Sequence, residues 1–207
     1  MNDPSIPDPL VEKIPISVAV KFPDVFEHFV HEEQGIDKKK WTLDLGRSNE
    51  LLFTKLFRAM FNDLTVIDDD VDIRDMPIDA LIEPSIDAFE FSVPSQSHTP
   101  SFAVWIRYRI KIFDSEGNQF ANWPVSAYGK SLSTAMGEDD ALHRAAVLAM
   151  RDAAALIIMR MDRDTGISKL NRQQLSSGAT SPGPELSDIM VEEAQTTASE
   201  DTTDETG

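Results

Sequence analysis

The chain has 207 residues, 41% of them hydrophobic and 8% aromatic, with a formal net charge of -17 and no cysteine. That charge opposes general association with nucleic acid or an anionic membrane surface, and the lack of cysteine excludes disulfides, thiolate metal sites and a cysteine nucleophile. No apolar run reaches the roughly 20 residues of a membrane span, and the opening MNDPSIPDPL lacks the basic start and apolar stretch of a signal peptide, so a soluble chain is expected.

Residues 1–13 read as an extended arm, because Pro4, Pro7 and Pro9 disfavour helix and deny backbone donors. A short β-branched run, Ile16 to Val20, sits between Pro15 and Pro23 and predicts a strand. Asp24 to Lys40 has no dominant period, and Trp41 to Leu45 reads as extended. Gly46 ends that stretch, Ser48 is a candidate N-cap, and a helix is expected from about Asn49 to Asn62. Its residues Leu52, Phe53, Leu56, Phe57, Met60 and Phe61 recur at three- and four-residue spacing and mark one buried face. Leu64 to Ile67 predicts a strand, and Asp68 to Asp75 is too acidic to continue it and predicts a solvated loop.

Ala80 to Val93 predicts a long, bent strand. From Ser101 to Phe113, Phe102, Val104, Ile106, Tyr108, Ile110 and Ile112 alternate with Ala103, Trp105, Arg107, Arg109 and Lys111, the period of a strand with one buried and one wet face. Asp114 to Asn118 supplies turn residues, among them Gly117, able to take positive φ, and Phe120 to Tyr128 returns as the hairpin partner. A helix from Glu138 to about Arg163 has acids at its start, Arg160 and Arg163 near its end and Gly166 beyond, as the helix dipole favours. Its inner face is rich in alanine, which lets a helix axis approach a sheet closely. Residues 171–207 are dominated by Ser, Thr, Gly and acid, and from Ser176 onward carry eight acids and no base; a disordered acidic tail is expected. Within it, Leu186, Ile189 and Met190 have the spacing of a docking helix, although chance clustering in a solvated tail is the favoured reading.

Strands gathered between two helices predict an α+β domain over residues 14–170. The expected architecture is a two-layer one, with an antiparallel sheet of four or five strands and both helices on one face. The other face would be solvated. Glu83 and Asp87 on one strand would oppose Arg107 and Arg109 on the next, lacing that face with ion pairs. A sharper reading makes Trp105, Arg107, Arg109 and Lys111, joined by Trp123, a cationic and aromatic strip that receives an acidic or glycan partner.

Four stretches carry a family resemblance: Asp79-Ala-Leu-Ile-Glu-Pro84-x-Ile86-x-x-Phe89, Trp105-Ile-x-Tyr108-x-Ile110-x-x-x-Asp114-x-x-Gly117, Trp123-x-Val125-x-x-Tyr128-Gly129 and Ala145-x-x-x-Ala149-x-x-Asp152-Ala-Ala-Ala. Over roughly residues 14 to 165 this pattern resembles the small α+β domain of uncharacterised Gram-negative envelope lipoproteins. More distantly it is similar to the accessory lipoproteins of polysaccharide and curli secretion. The resemblance implies a scaffold or adaptor in the periplasm or on the inner leaflet of the outer membrane, and it transfers no binding residue. A lipoprotein precursor carries a signal peptide ending in a lipidated cysteine; Met1 stands either where that cysteine was trimmed away or at the natural start of a cytosolic protein.

Candidate chemistry is sparse. His28-x-x-His31 beside Glu27, Glu32 and Glu33 would place two imidazoles on one helix face, whereas a solvated polar turn needs no metal. Asp68, Asp70 and Asp72 have the first ligand spacings of a calcium loop, but Ile73 replaces the required Gly and Asp79 stands where Glu belongs. Phosphate loops and nucleophile elbows are absent, and His143 has no nucleophile beside it in sequence. No catalytic residue, metal or cofactor is therefore expected. The favoured function is a non-catalytic envelope adaptor that binds another protein or a surface polysaccharide and is open to self-association. Nucleic acid is excluded, and membrane contact is expected only through a lipid anchor this chain does not contain. The alternative is a cytosolic, chaperone-like binder whose acidic tail docks on a basic partner.

Overall fold

A computed structural model describes residues 11–35, 38–97, 99–132, 137–164, 166–170 and 172. The acidic tail, its candidate docking helix and most of the N-terminal arm lie outside the described residues. β1 (Ile14–Lys21) contains Val18, Ala19 and Val20, all at or below 1% exposure. Consecutive burial of this kind requires apolar contact on both faces, the condition of a central strand with parallel neighbours. The sheet order is β4-β1-β5-β6-β7, and β1 runs parallel to both β4 (Phe61–Ile67) and β5 (Ala80–Ser92). β6 (Ser101–Asp114) and β7 (Gln119–Leu132) continue it antiparallel. The expected two-layer α+β architecture is present, with a mixed sheet in place of the wholly antiparallel one. A parallel neighbour needs a crossover, and residues 24–60 supply it between β1 and β4.

That crossover begins in the stretch without a dominant sequence period. It holds a single helical turn, α1 (Asp24–Glu27), then an antiparallel hairpin of β2 (Val30–Gln34) and β3 (Lys40–Asp44), and then α2 (Gly46–Met60). α2 begins two residues before Ser48, which is buried inside the first turn and is not the cap. Its start is set by a close chain crossing: Gly46 N donates to Phe29 O at 3.2 Å, and a Cβ on Gly46 would lie 1.9 Å from Glu27 O. Helix turns directly into strand at Phe61, so Phe61 and Asn62 belong to β4.

α2, the β2–β3 hairpin and α4 (Glu138–Arg163) share one core with the inner face of the sheet. Phe53 meets Phe26 and Tyr108 at centroid distances of 5.3 and 5.2 Å, and Trp41 reaches Phe102 at 5.8 Å. The alanine face of α4 does bring the helix onto the sheet: a Cβ on Gly129 would lie 2.0 Å from Ala145 O and 2.4 Å from Ala149 N. α4 also guards the sheet edge, because Asp152 Oδ2 accepts from the outward N–H of Tyr128 at 3.0 Å. Two residues beyond the exposed Ser126, Pro124 offers that edge no N–H at all. A single turn, α3 (Pro94–Ser97), links β5 to β6.

Among the described residues, the opposite face is covered at one end only. The acidic segment after β4 keeps its carboxylates in water but anchors Ile73 and Ile78 against Ala19, Ile67 and Leu81, forming a small second core with Met76 and Phe113. This anchored path, which acid content alone did not foretell, carries the chain across the sheet and delivers β5 to the far side of β1. The turn at Asp114–Asn118 is as expected, with Gly117 at φ +87.

Candidate functional site

The uncovered part of the outer face is built from β5, β6 and β7, and its rows follow from register. Lys111 of β6 lies between Glu83 and Asn122, Arg109 between Ser85 and Pro124, Arg107 between Ala88 and Ser126, and Trp105 between Glu90 and Tyr128. A bulge between Ile86 and Ala88 makes Asp87 an extra residue in β5. It reverses which residues of β5 face outward, so Glu83 and Ser85 point out before it and Ala88 and Glu90 after it. Without that reversal Phe89, which packs on Phe29 at 5.5 Å, would face water.

Asp87 sits where two arginines converge. Arg109 Nε donates to Asp87 Oδ1 at 3.0 Å and Nη2 to Oδ2 at 2.5 Å, while Nη1 donates to Asn122 Oδ1 at 3.0 Å. The bidentate guanidinium holds the Asp87 carboxyl below the usual carboxylate range and pushes the Arg109 group up. Arg107 Nε is 3.9 Å from Asp87 Oδ2, and Arg107 makes no hydrogen bond among the described residues. Side-chain exposures of 53% for Arg107 and 35% for Arg109 express the same difference. Lower on the face, Lys21 pairs with Glu83 at 3.6 Å. The expected lacing of opposite charges is therefore present between Asp87 and the two arginines, Arg107 being the more loosely held, whereas Glu83 lies across from Lys111 and pairs with Lys21.

Trp105 and Tyr128 form an exposed aromatic pair at 44% and 43% exposure, with ring centroids 5.1 Å apart and planes 46° apart. Beside them is a shallow depression of about 270 Å³ lined by Ala88, Glu90, Trp105, Arg107 and Ser126. Of the strip residues, Trp105, Arg107, Arg109 and Lys111 do share this face. Trp123 does not: it pairs with Ile110, is buried at 4%, and lies on the helix side under the Arg160 guanidinium. Tyr128 takes the aromatic place instead. Its signal was in the alternation of β7, where Ala121, Trp123, Val125 and Ala127 are the apolar, inward set.

The other candidate groups come apart. His28 caps the one-turn α1 and His31 is in β2 against Phe89, so the two imidazoles share no helix face. His28 instead gathers with Asp24 and Glu27, whose ligand-type atoms lie within 4.8 Å of one another, and its Nδ1 donates to Asp24 O at 3.1 Å. In the calcium-like run, Asp72 binds Arg74 and Asp79 accepts from Ser17 N at 2.8 Å, and among the described residues Asp68, Asp70 and Asp72 are not gathered into a metal-type cluster. His143 is half-buried on α4, and burial lowers its pKa. No described helix is long and apolar enough to cross a membrane.

No family model matches the chain, and no curated protein is significantly similar to it in sequence. Solved structures with a partly similar fold include a minor lipoprotein of Acinetobacter baumannii, 12% identical over 80% of this chain and 96% of that one, with a TM-score of 0.37. Uncharacterized lipoprotein B of Nitrosomonas europaea is 12% identical over 78% of this chain and 95% of that one, with a TM-score of 0.39. A hypothetical protein of Chlamydia trachomatis is 12% identical over 71% of this chain and 96% of that one, with a TM-score of 0.40. Two of these three are bacterial lipoproteins; at such identities and scores they carry no conclusion about what this chain binds.

Proposed function

We propose that this chain is a non-catalytic binding domain of the bacterial envelope, an adaptor that engages another protein or a surface polymer through the bare face of β5, β6 and β7. Its place would be the periplasm or the inner leaflet of the outer membrane, in the manner of the accessory lipoproteins of polysaccharide and curli secretion. The sequence pattern running from Asp79 through the Ala-rich last helix supports the envelope assignment. The observation that carries the binding role is the exposed Trp105–Tyr128 pair beside the loosely held Arg107. Aromatic and arginine side chains concentrate at the energetic centres of interfaces, whereas the neighbouring Arg109 and Asp87 satisfy each other.

The test has two parts. Intact mass and fractionation of the protein made from its native gene should find a lipid-modified product in the envelope; an unmodified product in the cytosol rejects the location. A photo-crosslinking residue replacing Tyr128, in cells, should give discrete adducts that disappear with Trp105→Ala and Arg107→Glu. Adducts indifferent to both substitutions reject the face.

A further inference from the structure

Taking that binding face as given, we infer that the depression beside Trp105 receives one uncharged sugar ring of a longer saccharide. At about 270 Å³ it lies just under the range of roughly 300–1,000 Å³ typical of pockets that enclose a whole small ligand. It is sized for a single unit of a chain that continues along the open sheet. Trp105, 44% exposed, lines it, and the Tyr128 ring lies 5.1 Å from that of Trp105. The electron-rich face of an aromatic ring attracts polarised C–H groups, and a pyranose presents a flat array of them.

The polar groups narrow the choice. Glu90 stands directly across from Trp105 on β5, Arg107 is two residues along β6 on the same face, and Ser126 faces Arg107 from β7. None of the three makes a side-chain hydrogen bond among the described residues. A carboxylate accepts only, a guanidinium donates only and a hydroxyl does both. Vicinal sugar hydroxyls both donate and accept, and so can satisfy all three without bringing a charge. The lining of the depression holds one acid, Glu90, and one base, Arg107, so it carries no net charge, and the adjacent Asp87 and Arg109 pair with each other; a neutral ligand suits it better than a charged one. An anionic polymer would also meet the repulsion of the -17 chain. A cationic ligand suits the aromatic pair and Glu90 but is opposed by Arg107.

The full chain would be titrated with maltohexaose, cellohexaose and chitohexaose as neutral probes, hexagalacturonate as the acidic probe and hexalysine as the basic one. Isothermal titration calorimetry gives the affinity of every variant, and Trp105 fluorescence locates the binding in the wild type, because Trp41 and Trp123 are 3% and 4% exposed and contribute an unresponsive background. At least one neutral hexasaccharide should bind with a Kd of about 0.1–1 mM and shift the emission. Trp105→Ala should weaken binding at least about tenfold, Trp105→Phe should restore part of it, and Glu90→Gln and Arg107→Gln should each cost a few fold, with thermal melts confirming that every variant is folded. Tighter binding of hexagalacturonate or hexalysine than of every neutral sugar overturns the inference, as does neutral binding indifferent to Trp105→Ala or no neutral binding at all. If the sugars fail while the crosslinked adducts remain sensitive to Trp105 and Arg107, the face is a protein interface and only the sugar assignment falls. If both fail, the binding face itself is wrong.

Discussion

β5, β6 and β7 show two faces to two environments, and the same strands obey different rules on each. Against α2 and α4, Phe102, Val104, Ile106, Tyr108, Ile110 and Ile112 are buried at 1% or less, and a glycine is needed where helix and strand nearly touch. On the other face, side chains of both charges stand in rows, and one arginine is held bidentately by Asp87 while its neighbour makes only a loose ion pair. The packed face is fixed by volume, since close-packed interiors respond to a single methyl group, and the bare face is fixed by pairing, which tolerates substitution and leaves room for a ligand. Side chains that matter most for folding and those that matter most for binding therefore alternate along one strand, a residue apart.

The largest effect that would break this contrast is expected at Gly129→Ala. The added Cβ meets two backbone atoms of α4, which cannot rotate aside, so a loss of at least about 3 kcal/mol is expected in chemical denaturation; a neutral outcome would mean that α4 is not seated as described. Next is Tyr108→Phe. The Tyr108 hydroxyl is buried, which pushes its pKa up, and it donates to Asn49 Oδ1 at 2.7 Å, while Asn49 Nδ2 already lacks a described partner. Removing the hydroxyl leaves a second unsatisfied buried atom on Asn49 and should cost about 1–3 kcal/mol. If Asn49→Leu combined with Tyr108→Phe recovers much of that loss, the cost is confirmed as desolvation of the orphaned amide.

The smallest effect belongs to the bare face. The folded-state pKa of Asp87 is lowered, chiefly by its hydrogen bond to Arg109, so its contribution to stability is fully present above the ordinary carboxylate value of about 4. It is lost as pH falls through the lower folded value. Comparing wild type with Asp87→Asn should show a small advantage at neutral pH that shrinks in this acid window and also shrinks in high salt, because the pair is partly exposed. An advantage that grew as pH fell would contradict the assigned pairing.

Much of this was legible in the amino-acid order. The period of Ser101–Phe113, the turn residues at Asp114–Asn118 and the charged ends of α4 are local signals, and each produced the element expected. Four of the five strip residues were legible for the same reason, because alternation along one strand assigns its faces without knowledge of its neighbours. Trp123 is the exception: the inward set Ala121, Val125 and Ala127 of its own strand assigns it to the helix side, away from the strip.

What the sequence by itself determined was therefore everything that depends on spacing of a few residues: the long strands, both long helices, the hairpin and the polarity of the faces of β6 and β7. Tertiary structure alone decided that β1 is central and parallel, that residues 24–44 become a turn and a hairpin, and that Asp87 bulges to seat two arginines. Those outcomes depend on which segment arrives beside which, and their energy comes from contacts between residues far apart in the chain, whose favourable term appears only once the crossover and the anchored acidic segment have brought the strands together.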